Sequence, residues 1–140
     1  MTHPVLQAVL AGLTGLEGFR LACLVDPVTG TLVDVVPASA DPRQVAAASA
    51  GLADLVQAVT GMGARLSPGS EAQDVVVTLT DACYVVRVLP VEGGGPLALL
   101  LVIDRGPAAL AFALRAVRRL RLDGLDGLDG LDGLDGTVAS

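Results

Sequence analysis

Residues 73–104 read QDVVVTLTDACYVVRVLPVEGGGPLALLLVID. The stretch contains three apolar runs of strand length, at residues 74–80, 83–91 and 97–103. The breaks between the runs are short, whereas a parallel return needs roughly a dozen residues or more, so the runs should pair as antiparallel neighbours. Residues 97–103 are apolar at every position, which predicts a strand buried on both faces. The rest of the chain must then supply two covering layers and further strands.

A helix and a hairpin precede this stretch. Pro4 suits the first turn of a helix, and Gly18 is a suitable terminator for it. Residues 19–25 and 31–36 are apolar runs of strand length. The residues between them, DPVTG, suit a hairpin connection, because proline presets a turn and glycine accepts a positive φ.

The second helix has the clearest start signal in the chain. Asp41 suits the N-cap, Pro42 the first helical position, and Gln44 completes a spacing like that of a capping box. We expect this helix to end near Gly61. One of its faces carries larger apolar residues and should lie on the sheet: Val45, Ala48, Leu52, Leu55, Val56 and Val59.

The opposite face of the second helix is unusual because it carries small residues where a solvated face normally carries Lys, Arg or Glu. Close approach of a second helix would explain this composition, and an exposed alanine-rich helix is the alternative. We favour the first interpretation. The residues on this side are Ala47, Ala50, Gly51, Asp54, Ala58 and Gly61.

A third helix and a repeat complete the chain. The helix begins at Pro107 and carries arginines on its outer side, which the helix macrodipole explains; a patch for an acidic partner is the alternative. From Leu122 to Gly136 the tripeptide LDG occurs five times. Because one glycine in three opposes helix formation, we expect a domain at residues 1–121 and a disordered tail at residues 122–140.

Composition excludes several classes of function. The chain has 140 residues, which suits one domain, and a net charge of −6. Residues 123–140 hold five aspartates and no arginine, while residues 1–122 hold ten acids and nine arginines. A nearly neutral domain with an acidic tail is not a nucleic-acid binder. No run reaches the roughly 18 apolar residues of a membrane span, and no signal-peptide pattern occurs, so we expect a cytoplasmic protein without a membrane span.

Catalytic and metal-binding motifs are absent from the sequence. There is no GxxxxGK[ST], GxSxG or HExxH pattern, and the single histidine, His3, has no partner in sequence. Cys23 and Cys83 fit no metal or redox spacing, and we interpret them as buried thiols. Turns and caps account for the prominent carboxylates. We therefore expect no catalytic residue, no metal and no cofactor, and we predict that the protein is not an enzyme. The carboxylates in question are Asp26, Asp41, Asp81 and Asp104.

The order of elements is helix, two strands, helix, three strands, helix. This order, with QVAAASAGLADLVQAVTGMG followed by DVVVTLTDACYVVRVLP and PLALLLVIDRG, resembles the bacterial type of the roadblock family of dynein light-chain and GTPase-regulator domains. The resemblance covers residues 4–120. It implies an α+β fold of order αββαβββα, with a profilin-like five-stranded antiparallel sheet sandwiched between helices. The implied strand order is 2-1-5-4-3. The LDG repeat departs from the family pattern.

The resemblance also implies a function. Such domains form homodimers through the middle helix and the edge strand, here residues 74–80, and bind Ras-like small GTPases to modulate their nucleotide cycle or location. The contact with a second copy or partner is then predicted to involve Ala47, Ala50, Gly51, Asp54, Ala58, Val75, Val76 and Val77. The alternative is a ligand-sensing or protein-interaction module on a similar PAS- or profilin-like sandwich. A sensor needs convergent polar groups in a cavity, and the predicted core is almost wholly aliphatic.

Overall fold

The computed structural model describes residues 4–91 and 94–120. It contains the eight predicted elements in the predicted αββαβββα order, so the α+β fold class is confirmed. The elements are α1 (Pro4–Leu13), β1 (Phe19–Val25), β2 (Leu32–Val36), α2 (Pro42–Leu66), β3 (Asp74–Thr78), β4 (Ala82–Leu89), β5 (Leu97–Asp104) and α3 (Pro107–Arg118). The predicted tail and His3 lie outside the described residues.

The five strands form one antiparallel sheet in the order β2-β1-β5-β4-β3. β5 is the central strand, and it is buried along its length except at Val102, which is half-buried, and at Asp104, which is exposed. β5 is apolar almost throughout because both of its faces lie under helices. The prediction of a central strand buried on both faces is confirmed.

Helices cover both faces of the sheet. α1 and α3 lie on one face, where Leu10 and Val117 pack with Leu99 and Leu101 of β5. α2 lies on the other face, where Leu52 packs with residues of β1, β4 and β5. The predicted sandwich is therefore confirmed. Successive residues of each strand alternate between the two layers, as the pleat requires.

α2 is longer than predicted, because it ends at Leu66 and not near Gly61. A glycine costs a helix roughly 1 kcal/mol relative to alanine, which neighbouring helix formers can offset. The N–H of Ser67 bonds to the carbonyl of Gly63 and closes the last turn. At the other end the prediction is confirmed, since the Asp41 carboxylate accepts a hydrogen bond from the N–H of Arg43 at 2.9 Å.

The side of α2 that meets the sheet also differs in part from the prediction. Ser49 and Ala53 are buried in addition to Val45, Leu52 and Val56, whereas Ala48, Leu55 and Val59 are only half-buried. Small side chains at the point of contact let the helix lie close to the strands. The buried hydroxyl of Ser49 is satisfied, because it donates to the carbonyl of Val45 at 2.8 Å.

The sequence predicts a turn or cap role for four aspartates, and the structure shows this role for only some of them. The Asp26 carboxylate does stabilise its turn, accepting a hydrogen bond from the N–H of Val28 at 2.9 Å. Asp81 and Asp104 instead form ion pairs with Arg20. No sequence pattern indicates these pairs, because Arg20 is remote from both aspartates along the chain.

Candidate self-association and partner-binding surface

α2 covers only part of its sheet face. The helix has its main contacts with β1, β5 and β2 and also packs on Val86 of β4, so the half of the face formed by β4 and β3 is only partly covered. A groove of about 770 Å³ runs beside α2 on this half, which we call the β4-side groove. Leu52 and Leu55 of α2 form one wall, and its floor comes from the sheet: Tyr84, Val86, Leu100 and Val102.

The structure divides the predicted contact residues of α2 between two flanks. Ala47 and Gly51 line the β4-side groove. Ala50 and Asp54 lie on the opposite flank, where they line a second groove of about 650 Å³ beside the β1–β2 hairpin. Ala58 is exposed and lines neither groove. One helix face predicted from the sequence is therefore two distinct surfaces.

The flank of α2 that borders the β4-side groove is more apolar than predicted. Leu55 and Val59 are half-buried, and Met62 and Leu66 are 56% and 79% exposed. Their spacing of three and four residues places them on the same flank as Gly51. Sequence reasoning missed this surface because Leu55 and Val59 also fit the sheet-facing stripe, and because the predicted helix ends before Met62. The three-four spacing was the available signal.

The edge of the sheet at β3 is open in the described part of the chain. Val88 N–H donates to the carbonyl of Gln73, and Leu79 N–H donates to that of Ala82. Hydrogen-bonded pairs alternate along an antiparallel ladder, so odd-numbered residues of β3 bond to β4. The backbone groups of the even-numbered residues point to the free edge: those of Asp74, Val76 and Thr78.

Side chains of β3 point to both faces of the sheet. Val75 packs with the α2 layer, and Val77 lies on the same face because side chains alternate along a strand. Val76 points to the opposite face and is 38% exposed. The predicted residues Val75 and Val77 therefore border the open half that adjoins the β4-side groove, while Val76 borders the α1/α3 layer.

An ion-pair cluster ties the edge strand to α3. The Asp74 carboxylate lies 3.0 Å from Nε of Arg118 and 3.4 Å from a terminal nitrogen of Arg87. The hydrogen bond that Arg118 donates to Asp74 raises the pKa of Arg118. The Arg87 and Asp74 side chains are only 16% and 20% exposed, and Nε of Arg87 has no partner in the described structure. Asp74 is thus the main neutralising group for a nearly buried guanidinium.

A second ion pair stands at the end of the β4-side groove. Arg20, which contributes to the lining, donates from Nε to the Asp104 carboxylate, and this hydrogen bond raises the pKa of Arg20. Its guanidinium also bonds to the carbonyl of Asp81 at 3.0 Å. Arg20 therefore connects β1, the end of β5 and the β3–β4 turn while its charge is balanced.

The site offers little that could do covalent chemistry. Cys23 and Cys83 are buried free thiols, as predicted, and burial raises the pKa of Cys23 to about 11, so it is not a thiolate near neutral pH. Across residues 4–91 and 94–120, no group of three or more His, Cys, Asp or Glu side chains could hold a metal ion. The arrangement suits contact with another macromolecule better than catalysis.

α2 also meets the length and composition of a membrane span, alone among the described helices. Only 28% of its most apolar window is buried. Because α2 packs along the sheet, we attribute the remaining apolar surface to the two grooves and to the exposed flank between them.

No family model and no curated protein matches the sequence. Solved structures do share its architecture. A roadblock/LC7 domain from Streptomyces avermitilis is 21% identical with a TM-score of 0.62, over 79% of this chain and 90% of that one. Myxococcus xanthus MglB is 16% identical with a TM-score of 0.65, over 84% and 93%.

A gliding protein, MglB from Thermus thermophilus, is 19% identical with a TM-score of 0.62, over 84% of this chain and 88% of that one. The similarity thus spans nearly the whole of each of these three domains. At such low identity it is the arrangement of helices and strands that is shared. The fold of this protein is the bacterial roadblock/LC7 fold.

Proposed function

We propose that this protein is a non-catalytic, homodimeric roadblock-family protein that binds a Ras-like small GTPase in the cytoplasm and modulates its nucleotide cycle or its location. The observation that carries the proposal is the partly covered half of the sheet, which lies between an apolar helix flank and the open strand edge at β3. The roadblock/LC7 fold supports it, because the domains that the sequence resembles are GTPase regulators.

The partly covered half of the sheet favours a second copy of the chain as its occupant. Val86 and Leu100 in the floor of the groove are already nearly buried, and the exposed apolar surface is that of Met62 and Leu66 on the flank above. Leaving such surface in water is unfavourable by roughly 25 cal/mol per Å². A second α2 placed over β4 would cover the floor, and the absence of a side chain at Gly51 would let the two helix backbones approach closely.

Antiparallel pairing of two β3 edges has a preferred register. Only even-numbered residues offer backbone groups to the edge, so a symmetric pairing centred on Val76 uses all of them. Asp74 then pairs with Thr78 of the second copy, Val76 with its own counterpart, and Val75 lies opposite Val77. This register gives about six hydrogen bonds, two for each hydrogen-bonded pair.

Asp54, Ala50 and Ala58 remain exposed in such a dimer, because they lie away from the β4-side groove. Two copies of α2 side by side would present these residues on one continuous surface. We propose this surface as the contact for the GTPase. The alternative of a ligand sensor has less support, since few polar side chains line the groove and one of them, Arg20, is already paired with Asp104.

A pair of matched substitutions tests the dimer. Gly51→Arg places a long cation in the β4-side groove, where an added Cβ meets nothing within 4 Å in the monomer. Ala50→Arg places the same side chain on the preceding residue, which lies on the opposite flank. In sedimentation, wild type and Ala50→Arg should be dimers and Gly51→Arg a monomer. A monomeric wild type, or a dimeric Gly51→Arg variant, contradicts the proposal.

GTPase binding is tested separately. Purified Ras-like GTPases from the same genome, beginning with any encoded in neighbouring genes, are assayed for nucleotide hydrolysis and exchange with and without this protein. We expect one of them to respond to the wild type, and we expect the protein alone not to turn over GTP. If the wild type is dimeric but no such GTPase binds or responds, the GTPase assignment is wrong and the dimer stands.

We also propose that the domain ends at residue 121. Residues 1–121 should fold without residues 122–140, because every described helix and strand ends before the repeat begins.

A further inference from the structure

α3 carries an exposed aromatic and basic stripe that the proposed function does not use. Phe112 is 55% exposed, and Arg115 and Arg119 lie one turn apart beside it. Together with Leu16 and Ala116 they line a groove of about 470 Å³ between α3 and the α1–β1 connection, which we call the α3 groove. An exposed large aromatic next to cations is a typical contact site.

The arginines of the α3 groove are available for pairing. Within residues 4–91 and 94–120, no hydrogen bond or ion pair engages the guanidinium of Arg115 or Arg119. Arg118, by contrast, is paired with Asp74. Glu17 is the one acidic residue of the lining, so the groove has a net positive charge. The groove should therefore attract an anionic segment that also has apolar side chains.

The LDG repeat has this composition and follows α3 after only a few residues in the sequence. α3 ends at Arg118, and the repeat occupies residues 122–136 with five aspartates and no cation. Each repeat contributes one leucine and one aspartate. In an extended polyproline II conformation, with three residues per turn, all the leucines would lie along one side and all the aspartates along another.

The spacing of the repeat is compatible with the two arginines. One LDG unit in this conformation advances about 9 Å, against a rise of about 6 Å between Arg115 and Arg119 along the chain, and their flexible side chains can make up the difference. The first units can reverse the chain, because glycine accepts turn conformations freely. Later units can then lie along the groove, with leucines on Phe112 and Leu16.

We propose that the LDG repeat docks on the α3 groove of its own chain, with leucine on Phe112 and Leu16 and aspartate on Arg115 and Arg119. Exposed ion pairs are individually weak, but tethering gives the repeat an effective concentration of roughly millimolar or more. The five units are equivalent and exchange with one another, so docking covers the aromatic stripe without making the repeat part of the folded core.

A spin label at the end of the repeat tests the proposal in the full-length chain. Thr137→Cys provides the attachment site, since Cys23 and Cys83 are 0% and 2% exposed and should not react. Amide signals of residues 112–119 should be broadened by the label. The broadening should be lost in an Arg115→Glu/Arg119→Glu variant and at high salt, which shortens the screening length.

Matched controls distinguish docking on the α3 groove from non-specific electrostatic attraction between the acidic repeat and the domain. The variant Arg43→Glu/Arg65→Glu makes the same charge change at two exposed sites of α2 and should retain the broadening. Replacing the five repeat aspartates with asparagine leaves the folded residues unchanged and should abolish it. Broadening that survives both the charge reversal and the asparagine variant overturns the proposal. So does broadening seen only when the label and the ¹⁵N-labelled domain are on different molecules.

Discussion

A cysteine in place of Val76 would test the proposed β3 pairing, because a disulfide forms only if the two copies of residue 76 lie close together. In the register centred on Val76, the two copies of this residue form a hydrogen-bonded pair with Cα atoms about 5.5 Å apart. That separation lies within the range of roughly 4.4–6.8 Å that a disulfide spans. Val76→Cys protein should therefore form a covalent dimer on mild oxidation.

Thr78→Cys is the matched control on the same face of the same strand. In this register the two copies of residue 78 are offset by four residues, about 13 Å along the strand, which no disulfide can bridge. A mixture of Val75→Cys and Val77→Cys chains should also cross-link, because these residues lie opposite each other at about 4.5 Å. The native thiols contribute no background, since Cys23 and Cys83 are buried.

The assay is non-reducing electrophoresis of dilute protein after oxidation, with the fraction of covalent dimer as the readout. Cross-linking of Thr78→Cys but not of Val76→Cys would refute the register while leaving edge pairing intact. Failure of all three designs in a protein that sediments as a dimer would show that the β3 edge is not the interface.

Further predictions concern the helix, the ion pairs, the tail and a thiol. Gly51→Ala should stabilise the subunit by about 1 kcal/mol, since the added Cβ meets nothing within 4 Å, but it should weaken the dimer. Gly61→Ala should stabilise the subunit without weakening the dimer. Thermal melts at low and high protein concentration distinguish the two variants, and equal effects would contradict a close helix contact. Asp74→Asn should lower the free energy of unfolding by about 2 kcal/mol in urea titrations, because it leaves Arg87 nearly buried without its charge partner. Asp81→Asn, at a carboxylate that is 75% exposed, should cost less than about 0.5 kcal/mol, and a similar cost for both would refute this reasoning. Truncation after Arg121 should change the melting temperature by less than about 2 °C, because weak docking adds little to stability, and a larger drop would show that the tail is part of the folded core. Cys23 should resist thiol reagents in the native state at pH 8, and rapid labelling of the native protein would contradict this. Its contribution to stability should be complete below pH 9.0 and lost as the pH rises towards about 11, because only the unfolded chain readily forms the thiolate in this range.

The sequence was most informative where one physical requirement dominated. β5 could be predicted because burial on both faces leaves no polar position before Asp104 at its exposed end. The start of α2 could be predicted because Asp41 and Pro42 satisfy local backbone requirements. These signals are local, so they do not depend on where the helix comes to lie on the sheet.

The division of α2 into two flanks could not be predicted in the same way. It depends on where the helix lies on the sheet, with its main contacts on β1, β5 and β2 and with the small residues Ser49 and Ala53 buried at the contact. The ion pairs of Arg20 and Arg87 were also missed, because their aspartates become neighbours only when the strands pair. The predicted involvement of Ala47, Gly51 and the β3 valines in a dimer stays a prediction.

The position of β5 has a consequence for how the protein is made. Among the strands of the described residues, β5 is the last to be synthesised and the central one in the sheet. Arg20 and Asp104, which join its end to β1, are 84 residues apart. At translation rates of roughly 5–20 residues per second, about 4–17 s separate their emergence from the ribosome. During that interval the β1–β2 and β3–β4 hairpins have no shared partner strand. A nascent chain arrested with β5 still inside the ribosomal exit tunnel should therefore display two apolar hairpins that are accessible to chaperones, and release of β5 and α3 should complete the domain.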